Sequence, residues 1–310
     1  MLPLSAERCR APYGIMSDFP LNRVGVFALS SAPDRVRHAA GIAALRACGM
    51  EVVDGTAGLV PCRRLAADDT ERAAAFNRLA NDPSLQALVA ARGGYGVTRA
   101  LPLLDYAALR RCQPWLIGSS DVSALLLAAW RCGSRRLIHG PMVGYGWNLD
   151  GTEAFTAERC ALAAVLSSPH GTLPPWHGAA PLRAGRARGR LFPVNLTMLQ
   201  CLAGTPWLPD LTEAILVLED IHVPAHAVDR MLCHLRNAGL LSRLAGIVFG
   251  EFSEAEDGAE LPQIIAEYSA SLPVPSAWRL RFGHLHPGVP LPVGVQASLE
   301  IGGEGVRLTW

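Results

Sequence analysis

The sequence predicts an α/β protein with an N-terminal doubly wound, mostly parallel sheet and a smaller C-terminal mixed α/β domain that is rich in β structure at its end. Three observations lead to this fold class. Apolar runs of strand length alternate with helix-length segments through the first half of the chain, which is typical of parallel sheets. A segment rich in proline and glycine follows, and short strand-like runs come last. The 310 residues suit about two domains of ~150 residues each.

The first half of the chain contains five predicted strands and three predicted helices. The run VGVFAL at 24–29 is continuously apolar and has the length of a strand. We expect a helix to follow it, because Pro33 and Asp34 suit a helix start and Gly49 suits a helix end. The predicted strands are 24–29, 50–53, 85–91, 115–117 and 137–138, and the predicted helices are 36–48, 69–79 and 122–130.

The second half is predicted to begin after a linker. Residues 169–181 read PHGTLPPWHGAAP, a composition that suits a linker or a long crossing loop. We therefore divide the chain into an N-terminal extension (1–20), an α/β domain (21–170), a linker (171–182) and a C-terminal domain (183–310). Beyond the linker, the predicted strands are 215–218, 247–252, 293–299 and 305–310, and the predicted helices are 227–237 and 263–269.

The composition excludes several classes of protein. Apolar residues make up 50% of the chain and charged residues 18%, which is enough apolar material for a large core. The 28 basic and 27 acidic residues leave a net charge of +1, which argues against a nucleic-acid binder. Every basic residue is arginine. The absence of lysine excludes a Schiff-base lysine, a phosphate-loop lysine and a Ser–Lys dyad, and we expect no cofactor.

The cysteines and the N-terminus predict a cytoplasmic protein. No two of the 8 cysteines have the C-x-x-C spacing of zinc or redox sites, so we expect reduced, buried thiols. The first 20 residues carry charges and no long apolar run, unlike a signal peptide. No stretch of about 18 apolar residues occurs, so no contact with a membrane is expected.

A serine-containing turn, Gly118-Ser119-Ser120-Asp121, lies between the predicted strand 115–117 and the predicted helix 122–130. Open α/β sheets place their sites at the carboxyl ends of strands, and a helix start favours a negative oxygen nearby. This is the arrangement of a nucleophile elbow. Its G-x-S-x-G form is missing from the chain, which disfavours an ordinary α/β-hydrolase. The alternative is that Ser120 or Asp121 merely caps the helix.

A serine nucleophile needs a base, and without lysine that base is a histidine oriented by a carboxylate. Glu219 and Asp220 end the predicted strand 215–218, and His284 follows Phe282-Gly283 in a predicted loop. The residues alone leave open whether these side chains meet in space.

A glycine-rich segment, Gly93-Gly94-Tyr95-Gly96, follows the predicted strand 85–91. It fails as a G-x-G-x-x-G fingerprint, because Val97-Thr98-Arg99 comes next. Its other use is to bring bare backbone N–H groups close to a substrate oxyanion.

Two histidine pairs have the spacing of metal ligands. His222 and His226 are four residues apart, but Pro224 between them breaks the helix that such a pair needs. His284 and His286 form an H-x-H, but a proline and a glycine follow at once, so we predict a loop. We therefore expect no metal site.

Taken together, these segments resemble the LD-carboxypeptidase family of serine peptidases, which includes the muramoyltetrapeptide carboxypeptidases. The resemblance covers nearly the whole chain from Val24 onward, in one order. The segments that carry it are the strand 24–29 with Ser30-Ser31-Ala32-Pro33, Ala91-Arg92-Gly93-Gly94-Tyr95-Gly96, Ile117-Gly118-Ser119-Ser120-Asp121-Val122, His139-Gly140-Pro141-Met142, Asn195-Leu196 with Leu202-Ala203-Gly204-Thr205-Pro206, Leu218-Glu219-Asp220 with Asp229-Arg230-Met231-Leu232, Phe282-Gly283-His284 and Leu291-Pro292-Val293-Gly294.

This resemblance implies a Ser–Glu–His triad in a groove between the two domains. Ser120 would be the nucleophile, His284 the general base and then acid, and Glu219 the carboxylate that orients it. The resemblance also implies an oxyanion hole built from the backbone N–H groups of Asp121 and of Gly93 or Gly94, and a substrate-binding role for Asn195. The family's substrate is the murein tetrapeptide, whose terminal D-Ala is released in cell-wall recycling, and the family suggests a homodimer.

The chain departs from the family pattern at two places beside the site. Phe192-Pro193-Val194 precede Asn195 where the family usually has two glycines. Ile221-His222-Val223-Pro224 follow Asp220 where the family commonly has an acidic residue. Both changes leave the triad residues in place and bear on the choice of substrate.

Two other functions are compatible with the sequence. Relatives that resemble the microcin C immunity peptidases cut an acyl-nucleotide amide, and a tryptophan that stacks on the nucleobase, Trp147 or Trp176, would favour that activity. A non-catalytic protein on the same sheet would use Gly94 and Ser120 only to hold a small molecule.

Overall fold

A computed structural model describes residues 19–149, 151–168, 170–174, 177–253 and 258–310. The predicted N-terminal extension, except for its last two residues, lies outside this described part. All five predicted strands and all three predicted helices of the first half are present, with shifted ends. Helices α3, α4 and α6 were not predicted. The elements are β1 (Arg23–Phe27), α1 (Arg35–Ala47), β2 (Glu51–Asp54), α2 (Asp69–Ala80), β3 (Ala87–Ala90), α3 (Val97–Ala100), α4 (Tyr106–Cys112), β4 (Trp115–Gly118), α5 (Ser123–Arg131), β5 (Leu137–His139) and α6 (Glu153–Ser167).

The second half contains the predicted elements and several that were not predicted. Its elements are β6 (Ala180–Arg183), β7 (Gly185–Asn195), α7 (Leu196–Leu202), β8 (Ala214–Ile221), α8 (Ala225–Asn237), β9 (Gly246–Ser253), α9 (Leu261–Ser271), β10 (Ser276–Trp278), β11 (Leu291–Pro292), β12 (Gln296–Gly302) and β13 (Gly305–Thr309). The predicted linker 171–182 is not wholly irregular. Strand β6 begins inside it, and Thr172 forms an isolated bridge with Thr309. The predicted strand 293–299 is present only from Gln296, where β12 begins, and residues 293–295 connect β11 to β12.

The first sheet has the strand order β11-β5-β4-β3-β1-β2. Strands β1 to β5 are all parallel, and β11 adds an antiparallel edge strand from the second half of the chain. The predicted doubly wound, mostly parallel sheet is therefore confirmed. The strand order reverses between β1 and β3, which is where open sheets of this kind bind their ligands.

The second sheet is mixed and has the order β13-β12-β7-β8-β9-β10-β6. Its four central strands, β7 to β10, are parallel, and the strands at both edges are antiparallel. The edge strands β13 and β6 lie against each other, so the sheet is nearly closed. This arrangement confirms a mixed α/β second half with a β-rich end.

Helix α5 packs against both sheets. Its sequence SALLLAAWR is buried almost throughout, and it packs on β4 and β5 of the first sheet and on β7 of the second. Trp130 at its end meets Phe192 of β7 edge to face, with ring centroids 5.0 Å apart. The turn before α5 is thereby fixed against both halves. Within the described residues, no helix is both long and apolar enough to cross a bilayer.

Candidate active site

The carboxyl ends of four parallel strands of the first sheet converge on one region. Ser30 follows β1, Gly93 follows β3, Ser120 follows β4 and His139 ends β5. The backbones of β4 and β5 pair with Gly118 opposite His139. The predicted glycine-rich segment and the predicted serine turn are therefore neighbours at the strand-order switch.

Ser120 lies in a strained turn at the start of the α5 region. Its φ angle is +59°, which costs a non-glycine residue roughly 1–2 kcal/mol. A single 3₁₀ turn, Ser120–Val122, joins β4 to α5, and Ser119 at its start makes no side-chain capping bond. Asp121 does not cap the helix either, because its Oδ2 accepts from Ser30 Oγ at 2.7 Å and from Val97 N at 2.9 Å. The geometry is that of an elbow, and simple capping does not account for it.

Gly93 lies directly against the serine side chain. A Cβ atom added to Gly93 would stand 2.7 Å from Ser120 Cβ, 2.9 Å from Ser120 Oγ and 3.5 Å from Asp121 N. The next residue, Gly94, has a φ angle of +110°, which favours glycine. Its neighbour Tyr95 donates its backbone N–H to Ser31 Oγ at 3.1 Å. Only a residue without a side chain permits this approach, so the backbone at Gly93 and the start of the serine turn face the same small volume.

Glu219 and His284 form a hydrogen-bonded pair. His284 Nδ1 lies 2.7 Å from Glu219 Oε2, and the Glu219 side chain is fully buried while that of His284 is 20% exposed. Gly283 makes this contact possible. Its φ angle is +118°, and a Cβ there would stand 2.5 Å from Glu219 Oε2. Because the carboxylate occupies Nδ1, the other ring nitrogen, Nε2, points away from Glu219 and can bind a different partner.

Asn195 joins this pair to a second carboxyl group. Strands β7 and β8 pair with Asn195 opposite Glu219. The Nδ2 group of Asn195 donates to Glu219 Oε1 at 3.1 Å and to Asp220 Oδ1 at 2.9 Å. Thr197 donates from its backbone N–H and its hydroxyl to Asp220 Oδ2, at 2.9 and 2.7 Å. Both Nδ2 hydrogens of Asn195 are thus used inside the protein, which makes it a positioning residue; its predicted contact with substrate remains a prediction.

The buried carboxyl groups differ in their readiness to ionise. Burial raises the pKa of Glu219, but the charge and hydrogen bond of His284 and the donation from Asn195 outweigh burial, and the pKa lies below the usual value. Burial raises the pKa of Asp220, and the charge of Glu219 raises it further. Burial also raises the pKa of Asp121. The carboxyl group beside the histidine is therefore the one that most readily carries a negative charge.

One cavity of about 370 Å³, which we call the central cavity, brings the predicted site residues together. Six of the seven predicted site residues line it: Gly93, Gly94, Ser120, Asp121, Asn195 and His284. Glu219 is the one predicted member that does not reach the cavity, because it lies buried behind His284. The arrangement offers a hydroxyl, an imidazole backed by a carboxylate, and bare backbone N–H groups, which are the parts that acyl transfer requires.

The two histidines of the H-x-H segment face different carboxylates. His284 contacts Glu219, whereas His286 Nδ1 lies 2.7 Å from Glu158 Oε2. The loop therefore divides the pair instead of directing both rings to one ion. No group of three or more His, Cys, Asp or Glu side chains in the described part of the chain is arranged to hold a metal.

Several residues around the site were not found from the sequence. Ser30 and Thr197 hold the two buried aspartates, and Arg92, Tyr145 and His222 line the central cavity. His222 has a φ angle of +55°. A signal existed for Ser30 and His222, since each follows a strand end in the way that Ser120 and Glu219 do, but neither position reveals its partner.

Of the two tryptophans proposed for nucleobase stacking, Trp147 is described by the structure and does not line the central cavity. Trp147 is 2% exposed and packs edge to face on Phe19 and Phe155 in the core. Trp176 lies outside the described residues.

Comparison with known proteins finds matches over most of the chain. Residues 24–140 match the N-terminal domain of the LD-carboxypeptidase family, and residues 188–299 match its C-terminal domain. The murein tetrapeptide carboxypeptidase of Pseudomonas aeruginosa is 36% identical over 238 residues, which cover 74% of this chain and 75% of the relative. The crystal structure of muramoyltetrapeptide carboxypeptidase from Oxalobacter formigenes superposes with a TM-score of 0.84 at 29% identity, covering 93% of this chain and 98% of that chain.

Structures of the microcin C7 self-immunity protein MccF share the fold. One of them superposes with a TM-score of 0.84 at 22% identity and covers 96% of this chain and 97% of that chain. It is an active-site mutant in which a serine, an asparagine and a lysine are replaced by alanine. The two matched family domains together span well over half of the chain. The chain therefore belongs to the LD-carboxypeptidase family of peptidases.

Proposed function

We propose that this protein is a serine carboxypeptidase that hydrolyses an L,D-peptide bond and releases the terminal D-Ala of murein tetrapeptide. One observation carries the proposal. His284, which contacts the buried Glu219 at 2.7 Å, lines the same cavity as Ser120, and Ser120 lies in a strained turn. The murein tetrapeptide carboxypeptidase among the relatives supports the choice of substrate.

The proposed mechanism assigns one step to each group. Ser120 Oγ attacks the scissile carbonyl carbon while His284 takes the hydroxyl proton. The carbonyl oxygen becomes an oxyanion, which the backbone N–H groups of Asp121 and of Gly93 or Gly94 stabilise, each by ~3 kcal/mol. Collapse of this tetrahedral intermediate breaks the peptide bond, and His284 returns the proton to the departing amine. Water then hydrolyses the acyl-enzyme by the same route.

The acyl-nucleotide alternative receives less support from this chain. The MccF active-site mutant replaces a lysine, and this chain contains none. Trp147 is committed to the core. Digestion of an aminoacyl-sulfamoyl nucleoside beside murein tetrapeptide, followed by mass spectrometry, compares the two activities directly.

The decisive variant is Ser120→Ala. We expect it to lower the rate of D-Ala release by on the order of 10⁴-fold or more while the circular dichroism spectrum stays unchanged. The matched control is Ser242→Ala, an exposed serine whose hydroxyl contacts only the backbone of Gly239. Near-normal release by Ser120→Ala would remove Ser120 from the mechanism. Failure of the wild type to react covalently with a fluorophosphonate would favour the non-catalytic alternative.

We further propose a cytoplasmic homodimer, on the strength of the family resemblance and the cysteine pattern. Light scattering on the purified protein measures the mass of the assembly, and a mass of about 33 kDa, that of one chain, would contradict the dimer.

A further inference from the structure

A second cavity lies on the far side of His284. It has a volume of about 230 Å³, and we call it the side cavity; Ser119, His139, Glu158, His284 and His286 are among the residues that line it. His284 lines both cavities. The side cavity is smaller than the ~300–1,000 Å³ typical of drug-sized ligands, and it suits a single small amino acid.

A second histidine–carboxylate pair borders the side cavity. His286 Nδ1 contacts Glu158 Oε2 at 2.7 Å, with the Glu158 side chain 7% exposed and that of His286 32% exposed. The contact fixes the imidazole through one nitrogen and leaves Nε2 as its remaining polar atom. An anionic ligand at Nε2 would bind with a proton on that nitrogen, in a charge-assisted hydrogen bond.

His139 supplies an independent indication of a ligand. It is 2% exposed, and its Nε2 has no hydrogen-bond partner among the described residues. Burial lowers its pKa to about 4, so the ring is neutral at physiological pH and can donate one N–H. A buried polar atom without a hydrogen-bond partner destabilises the protein, and a ligand oxygen in the side cavity would remove that cost. Ser119, which caps no helix, adds a hydroxyl donor.

We infer that the side cavity binds the free carboxylate of the amino acid that the enzyme releases. This inference rests on the proposed function, because the departing amine takes its proton from His284 and the released residue must lie beside that ring. Ser119 offers a hydroxyl to the side cavity, and His139 and His286 offer imidazoles. The class of ligand that these donors fit is a small amino acid with a free α-carboxylate. Recognition of that group is what distinguishes a carboxypeptidase from an endopeptidase.

The test compares a murein tetrapeptide with its C-terminal carboxamide. We expect the wild type to favour the free acid by about 10- to 100-fold in kcat/KM, the worth of a hydrogen bond to a charged group. His286→Ala should remove this preference by raising KM for the acid with little change in kcat, while the carboxamide is cleaved as before. His286→Arg should restore part of the preference by returning a cation. The control is His234→Ala, an exposed histidine on α8.

Calorimetric titration with free D-alanine separates this inference from the proposed function. Hydrolysis with an unchanged preference for the free acid in His286→Ala overturns the carboxylate site and leaves the proposed function in place. Binding of D-alanine that is lost in His286→Ala, by a protein that does not cleave L,D-peptides, supports the site and overturns the proposed function. If neither hydrolysis nor binding occurs, both are wrong.

Discussion

The charge on Glu219 decides how His284 works as a base. Burial raises the pKa of Glu219, but its hydrogen-bonding partners lower it by more, so the pKa lies below the usual value. The carboxylate is therefore ionised at neutral pH. A negative charge hydrogen-bonded to Nδ1 fixes the tautomer that accepts the serine proton on Nε2. It also favours the imidazolium that forms during attack.

We therefore predict that Glu219→Gln lowers kcat by about 10⁴-fold and moves the acidic limb of the kcat/KM profile to lower pH. Activity should rise with pH as His284 loses its proton, because only the neutral imidazole accepts the serine proton. Removing the neighbouring negative charge makes that proton leave at lower pH. The pH–rate profile measures this shift, with Glu267→Gln, an exposed carboxylate on α9, as control. An unmoved limb would show that another group titrates.

The absence of a side chain at Gly93 is predicted to be essential. A methyl group there would stand 2.7 Å from Ser120 Cβ, closer than non-bonded carbon atoms approach, so Gly93→Ala should push the serine out of line. We expect a loss of roughly 10²-fold or more in kcat, the size of the effect of a small misplacement, with little change in melting temperature. Gly303→Ala, where nothing lies within 4 Å of the added atom, is the matched control. Equal activity of the two variants would contradict the close approach.

At the scale of single residues, the sequence could identify Ser120 but not its surroundings. A serine between a strand and a helix is visible in the local pattern. The contact between Glu219 and His284 joins positions 65 residues apart, which no local sequence pattern reveals. Asp121 and Ser30 are 91 residues apart. Such pairings depend on strand order, which periodicity does not contain.

Helix α2 is tied to the active-site loops by one buried arginine. The Arg72 side chain is fully buried. Its Nη1 group donates to the carbonyl oxygens of Leu29, at the end of β1, and of Gly96, which ends the glycine-rich segment. Its Nε group donates to Ala67 O at 3.1 Å. One side chain thus joins the loop after β1 to the glycine-rich segment that lines the central cavity.

We predict that Arg72→Met destabilises the protein by about 3 kcal/mol or more, because each buried carbonyl left without a donor costs ~1–3 kcal/mol. Asp69, the ionic partner of Arg72, keeps its second partner Arg99 at 2.6 Å. The loss of stability therefore measures the effect of leaving the carbonyl groups without a donor. Urea unfolding measures the change. Arg78→Met, on the exposed face of the same helix, should change stability by less than about 0.5 kcal/mol. A loss of the same size in both variants would refute this account.

Strand β7 is one of the elements that the sequence analysis did not predict. Its first residues, GRARGR, alternate between the two faces as a strand does, with the arginines exposed. Pro193 is unusual within a strand, because proline removes a ladder donor. Leu191 N donates to Val295 O, and Pro193, two residues further, faces the same side. The pairing of β7 with β12 ends at Arg190, so the missing N–H of Pro193 has no strand opposite it.

The whole molecule builds its site from both halves of the chain. The first sheet supplies Ser120 and Gly93, and the second supplies Glu219. We propose that the boundary between the domains lies within 171–182. That segment falls between the two matched family domains, of which the first ends at residue 140 and the second begins at residue 188. The sequence indicated two domains, but periodicity alone could not show that β11, from the second half, pairs with β5 of the first sheet.

This exchange between the halves predicts that they unfold together. Strand β11 must leave β5 before either half can separate, and α5 lies between the two sheets with Trp130 against Phe192. Scanning calorimetry should therefore show one transition in which the calorimetric and van't Hoff enthalpies agree. Trp130→Ala should lower the temperature of that transition, because it removes the edge-to-face packing on Phe192 of the second sheet. Two resolved transitions in the wild type, with activity lost in the first, would show that the halves are energetically independent and that their contact does not hold the site together.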